Sequence, residues 1–156
     1  LEVAQKLTAR AGSAGYGELS ILAQYYTRPE LLFTVGPMSF EPPPRVQSAV
    51  VKMTVGRSPN AGDVEPGPLF AVVRAGFAKR RKNIRNSLIS STLFGGDRDL
   101  VAAVLARAGL DGRKRAEQLD LEEFVRLTKA AIALGAVRAA HGRSDEEEKE
   151  NGGDLD

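Results

Sequence analysis

The stretch that most limits how this chain can fold is residues 56–68, Gly-Arg-Ser-Pro-Asn-Ala-Gly-Asp-Val-Glu-Pro-Gly-Pro, where breakers and small polar residues crowd together and almost nothing asks to be buried. Such a composition reads as a linker. The hydrophobic pattern differs on its two sides. Before it come two short helical segments and two strand candidates; after it the periodicity is helical to about residue 140. The organisation predicted is a mixed α/β segment over 1–57, a linker over 58–68, a helical domain over 69–140 and a disordered acidic tail over 141–156.

Residues 2–10 read as a helix already under way, with Val3 and Leu7 on one face and no capping residue ahead of Glu2. Gly12, Gly15 and Gly17 follow. They lack the G-x-G-x-x-G order and a preceding strand, so they read as a helix connection rather than a phosphate loop. A second helix is predicted near 17–26, ended by Arg28-Pro29. Strands are predicted at 31–35 and 48–55, joined by a proline-rich stretch and most simply paired antiparallel at the edge of a larger sheet. Val50, Val51, Met53 and Val55 place apolar groups on both faces of the second, so the pair calls for cover on both sides. Beyond the linker, helices are predicted at 69–91, 97–108 and 120–139, with Asp97 and Asp120 as N-caps and glycine turns at 95–96 and 109–112.

Several functions are excluded at this level. The chain has no cysteine, and its single histidine, His141, has no partner ligand nearby, so no metal is expected and Ser-His catalysis is improbable. No apolar run has the ~20 residues that a membrane span requires, and Leu1 opens on a helical pattern rather than a targeting segment, which makes a cytoplasmic protein without a membrane partner the expectation. The net charge of +2 conceals a division: residues 1–143 carry 21 Lys and Arg against 13 Asp and Glu, and residues 144–156 carry 1 against 7. A basic body suits a polyanionic partner, because each neutralised phosphate releases condensed counterions.

Two constellations could carry chemistry. In the first, Phe40-Glu41-Pro42-Pro43-Pro44-Arg45, consecutive prolines hold an extended backbone with little entropy left to lose. Phe40 is then either a hydrophobic plug under the hairpin loop or a stacking platform for an extruded base. Arg45 beside it is assigned to RNA. The second is the run at 77–88, Phe-Ala-Lys-Arg-Arg-Lys-Asn-Ile-Arg-Asn-Ser-Leu. On one continuous helix, at about 100° per residue, Val73, Phe77, Ile84 and Leu88 share a buried stripe. Arg80 then falls at its edge, where a carboxylate or phosphate should hold it in a packed interface. Lys79, Lys82 and Arg85, with Arg81 near the other edge, face RNA phosphates or plain solvent. A smaller cluster, Arg113, Lys114 and Arg115, precedes the last helix; Arg113 and Lys114 are assigned to RNA, and Arg115 with Glu117 to a structural pair.

At these constellations the chain resembles the bacterial small-subunit rRNA adenine dimethyltransferases. Residues 40–51 are similar to the family signature F-x-P-x-P-K-V-x-S-A-V-V, with Arg45 replacing the lysine, and residues 77–88 to its F-x-x-R-R-K-x-x-x-N-S-L helix. Glu2-Val3-Ala4-Gln5-Lys6-Leu7 and the segment from Tyr16 to Tyr26 resemble the intervening stretches in the same order. The resemblance implies an α/β fold: the C-terminal remnant of a Rossmann-like methyltransferase sheet, followed by a small all-α domain. It also implies methyl transfer from S-adenosylmethionine to N6 of two adjacent adenines in a 3′-terminal rRNA hairpin, with Phe40 packed on the target base and the helical domain docked on the immature ribosomal subunit. The family's glycine-rich donor loop, ribose-binding acid and Asn-Leu-Pro-Tyr motif do not occur in these 156 residues. The chain alone is therefore expected to be an inactive fragment with no cofactor site and no catalytic residue. The alternative is a non-catalytic RNA-binding or ribosome-assembly module. DNA is not expected, since the predicted basic helix offers no Asn/Gln-Arg set on a clear outer face.

Overall fold

The computed structural model describes residues 1–139; the expected tail at 141–156, with His141, lies outside them. Helix α1 spans Glu2–Thr8 and α2 spans Glu18–Tyr26, and α2 runs directly into strand β1, Thr27–Val35. Strand β2, Ser48–Val55, returns antiparallel to it. The register slips between Leu31 and Phe33 and leaves Leu32 without a partner, the signature of a bulge. The expected two-sided apolar character is present: Leu31, Leu32, Phe33, Val50, Met53 and Val55 are all exposed. Four helices follow, α3 (Pro66–Phe77), α4 (Ile84–Ser90), α5 (Arg98–Ala108) and α6 (Leu121–Ala133).

Caps explain these boundaries. Asp97 accepts from the Leu100 N–H at 3.0 Å, and Asp120 from the Glu123 N–H at 2.8 Å while Glu123 reaches back to the Asp120 N–H, a reciprocal capping box. Helix α6 stops six residues short of the predicted 139. Gly135 takes the left-handed conformation at φ 77°, and the Ala136 N–H turns back to the Ala131 carbonyl at 2.9 Å, which ends the helix as a Schellman-type turn.

Two predictions fail here. The long helix at 69–91 is broken: α3 ends at Phe77, residues 78–83 form a turn, and Asn83 starts α4 by accepting from the Asn86 N–H at 2.9 Å. Four adjacent like charges disfavour a continued helix, and asparagine gains more as a cap than inside one. Nor is 58–68 a free tether. Ala61 and Val64 are buried, Ser58 caps a 3₁₀ turn at Pro59–Ala61, and α3 already begins at Pro66.

One hydrophobic core accordingly runs through both sides of that stretch, joining Ile21 and Tyr25 of α2 to Leu69, Val72, Ile84, Val104, Phe124 and Leu127. Two tyrosines fasten it. The Tyr25 hydroxyl donates to the Val64 carbonyl at 2.7 Å, and the Arg57 guanidinium lies 5.3 Å over its ring while donating to the same carbonyl. The Tyr16 hydroxyl donates to the Leu119 carbonyl at 2.6 Å. Burial pushes the Tyr16 hydroxyl far above the ordinary tyrosine range, and the carboxylates of Asp120 and Glu123 push the same way. Above a pH of about 10 the unfolded chain releases this proton while the folded chain keeps it, so stability falls as pH rises. Burial raises Tyr25 as well. Urea midpoints measured between about pH 9 and pH 11 should therefore fall steeply in the native chain and less steeply in Tyr16→Phe; parallel slopes would show that Tyr16 is not responsible.

Candidate nucleic-acid interface

The break in the predicted helix moves the basic run onto a turn. Lys79, Arg80, Arg81 and Lys82 are all exposed, and among the described residues none of them enters an ion pair. Arg80 is therefore not held in a packed interface as expected. The helical geometry that carried it to the buried edge ends at Phe77. Ile84 and Leu88 remain fully buried, but on a second helix with its own direction.

The turn is not loose. The Ile84 N–H donates to the Lys114 carbonyl at 2.7 Å and the Arg85 N–H to the Gly112 carbonyl at 3.2 Å, so the N-terminus of α4 is stitched to the loop carrying Arg113, Lys114 and Arg115. Two basic clusters some thirty residues apart in sequence thus become neighbours. Close packing sets how near they come. A Cβ on Gly112 would stand 3.1 Å from both Arg85 Cβ and Leu105 Cδ1, and one on Gly76 would stand 2.9 Å from Ile84 Cδ1. Ser87 adds a buried bond from its hydroxyl to the Ala75 carbonyl at 2.8 Å.

Two open grooves flank this ridge. One, of about 580 Å³, is lined by Lys79, Arg80, Lys82 and Arg115, with Glu18 and Glu117 on its wall. The other, of about 660 Å³, has Arg85, Arg98 and Arg113 around Asn86. Sequence reasoning missed Arg98 and Asn86; Asn86 was legible only through recognising Asn83 as a cap, whose side chain accepts from the Asn86 N–H. The Arg115–Glu117 pair is not formed, since residues two apart do not face each other across a helical turn. Instead the Arg115 N–H is taken by Gln118 Oε1 at 2.9 Å. Arg113 pairs with Asp111 at 3.1 Å and Lys114 with Glu123 at 3.7 Å. The Arg113 guanidinium holds the Asp111 carboxyl below the usual carboxylate range.

Phe40 and Arg45 line neither groove. Phe40 follows a 3₁₀ turn at Pro37–Ser39 and is 45% exposed, which disfavours the plug reading and leaves its ring available at the hairpin tip. The glycines at 12, 15 and 17 join two helices, and at Gly12 and Gly17 an added Cβ would meet nothing within 4 Å, so they form no cradle for a methyl donor. Among the described residues no group of three or more His, Asp or Glu could hold a metal, and no helix is long and apolar enough to cross a membrane.

The model of the ribosomal RNA adenine dimethylase family matches residues 1–132. The chain belongs to that family. It is 44% identical over 135 residues to ribosomal RNA small subunit methyltransferase A of Pelotomaculum thermopropionicum, covering 86% of this chain and 45% of that protein. With the protein of the same name from Geobacillus kaustophilus the identity is 41% over 135 residues, covering 85% and 46%. Among solved structures, a dimethyladenosine transferase from Plasmodium falciparum superposes with a TM-score of 0.73 at 20% identity, over 87% of this chain and 56% of that one, which shows a shared α/β fold. This member of the dimethylase family thus spans less than half the length of these curated relatives.

Proposed function

We propose that this chain is the rRNA-docking and base-facing part of an adenine dimethyltransferase that modifies N6 of two adjacent adenines in a 3′-terminal small-subunit rRNA hairpin. The observation that carries this reading is the pairing of the two basic segments through the Ile84–Lys114 and Arg85–Gly112 backbone bonds. A rigid double row of cations fits a phosphate backbone, whose contacts set position and register rather than sequence. Neither row contains an aromatic residue, so base recognition falls to Phe40, whose exposed ring can stack on an adenine turned out of the hairpin. The small-subunit rRNA of the immature ribosomal subunit is the partner in this reading, and the regions on either side of 56–68 correspond to the end of a Rossmann-like methyltransferase sheet and a helical docking domain.

S-adenosylmethionine is the donor this family membership suggests. The glycine run among the described residues does not fit it, since it joins α1 to α2 instead of following a strand. We therefore assign no step of methyl transfer to these residues, and propose that the 156-residue chain neither binds the donor nor methylates RNA. Two titrations test the reading. Filter binding at matched salt should show tighter binding of the small-subunit 3′-terminal hairpin than of duplex DNA, and Phe40→Ala should weaken hairpin binding about tenfold or more, the worth of one stacked base. Calorimetry should show no donor binding. Equal affinity for duplex DNA sinks the RNA assignment, and micromolar donor binding sinks the inactive-chain assignment.

A further inference from the structure

The ridge bears more positive charge than its surroundings neutralise. Among the described residues Lys79, Arg80, Arg81, Lys82, Arg85 and Arg115 enter no ion pair, and Glu18 and Glu117, though they line the same groove, come within pairing distance of none of these. The same chain carries a polyanion: residues 145–148 are four consecutive acids, Asp-Glu-Glu-Glu, and Glu150 follows Lys149. Five carboxylates within six residues give this run a dense negative charge that complements the unpaired cations of the ridge.

Reach is also sufficient. Helix α6, of 13 residues, is about 20 Å long. Its first turn holds Glu123, which pairs with Lys114 of the ridge. The ridge thus lies about one helix length from the end of α6. Ala139 shares a groove with Lys129 and Ala133 of α6, and residue 145 stands six positions further along the chain, a reach of up to ~20 Å.

We propose that the acidic run at 145–150 seats on the basic ridge and competes with RNA for it, which makes the interface self-screening. This rests on the RNA-docking reading above. Because run and ridge share one chain, the contact is intramolecular, with an effective concentration that reaches the millimolar range. Only RNA segments offering more contacts than the run displace it. Weak, nonspecific polyanions do not.

The test keeps the full chain and neutralises the run in place with Asp145→Asn, Glu146→Gln, Glu147→Gln, Glu148→Gln and Glu150→Gln. The variant should bind the 3′-terminal small-subunit hairpin about tenfold more tightly at low salt, with the difference closing as salt screens the contact. Without RNA, the backbone amide resonances of residues 79–85 and 112–115 should differ between the two proteins. Equal affinities overturn the proposal, and so does tighter binding with those resonances unmoved, which would mean long-range repulsion without seating. If neither protein binds RNA, the docking reading fails, and the resonances alone decide whether the run occupies the ridge.

Discussion

Replacing Lys79, Arg80, Arg81 and Lys82 together with glutamine should lower affinity for the small-subunit hairpin about a hundredfold at low salt and flatten its salt dependence. Each cation that meets a phosphate contributes roughly 0.7–0.9 to the slope of log K against log salt, so the slope should fall by about 3. The four side chains are exposed and unpaired, and their backbone is pinned from the α4 side, so the substitutions remove charge without disturbing the core. Exposed Arg107 in the last turn of α5 lines neither basic groove, and Arg107→Gln is the matched control whose affinity should not change. A quadruple variant that binds with an unchanged slope would place the RNA elsewhere.

The second large effect is on stability. Phe124 is fully buried, stacks on Phe77 with ring centroids 5.8 Å apart, and lies 3.3 Å from where a Cβ on Gly76 would stand. Its stacking partner Phe77 is the last residue of α3, immediately before the basic turn. Phe124→Ala should cost about 3–5 kcal/mol, because the surrounding helices cannot close fully on the void. Phe124→Leu leaves a smaller void and should cost less than the alanine variant. Urea denaturation reads both, and a loss below about 1 kcal/mol for the alanine variant would show that the site relaxes or is not packed as described.

How much of this was legible beforehand depends on which signals were local. Asp97 and Asp120 announce their helices because a cap and its N–H partner lie within three residues, and the 48–55 strand is visible in its own β-branched content. The break at 78–83 was missed because the stripe of Val73, Phe77, Ile84 and Leu88 fits one continuous helix as well as two helices meeting at the same core. Only Asn83, read as a cap, separates the two cases. The burial of Ala61 and Val64 was hidden for a different reason: a segment poor in apolar residues can still be core when its few apolar side chains and its carbonyls are claimed from far away, as Tyr25 claims Val64. Similarly, no spacing rule connects 79–82 with 113–115. Their adjacency arises from tertiary hydrogen bonds, and it decides whether two surface clusters become one interface.

The hydroxyls of Tyr16 and Tyr25 reach across the chain to Leu119 and Val64, fastening the helices that lead into the hairpin to the body that carries the basic turn. The hairpin tip and the cation rows are thereby the two jaws of a caliper with a locked hinge. On the proposed docking reading, an RNA held by the cation rows would offer Phe40 a nucleotide set by its distance from the held backbone. Lengthening the 56–65 segment would reset the gauge instead of loosening a tether.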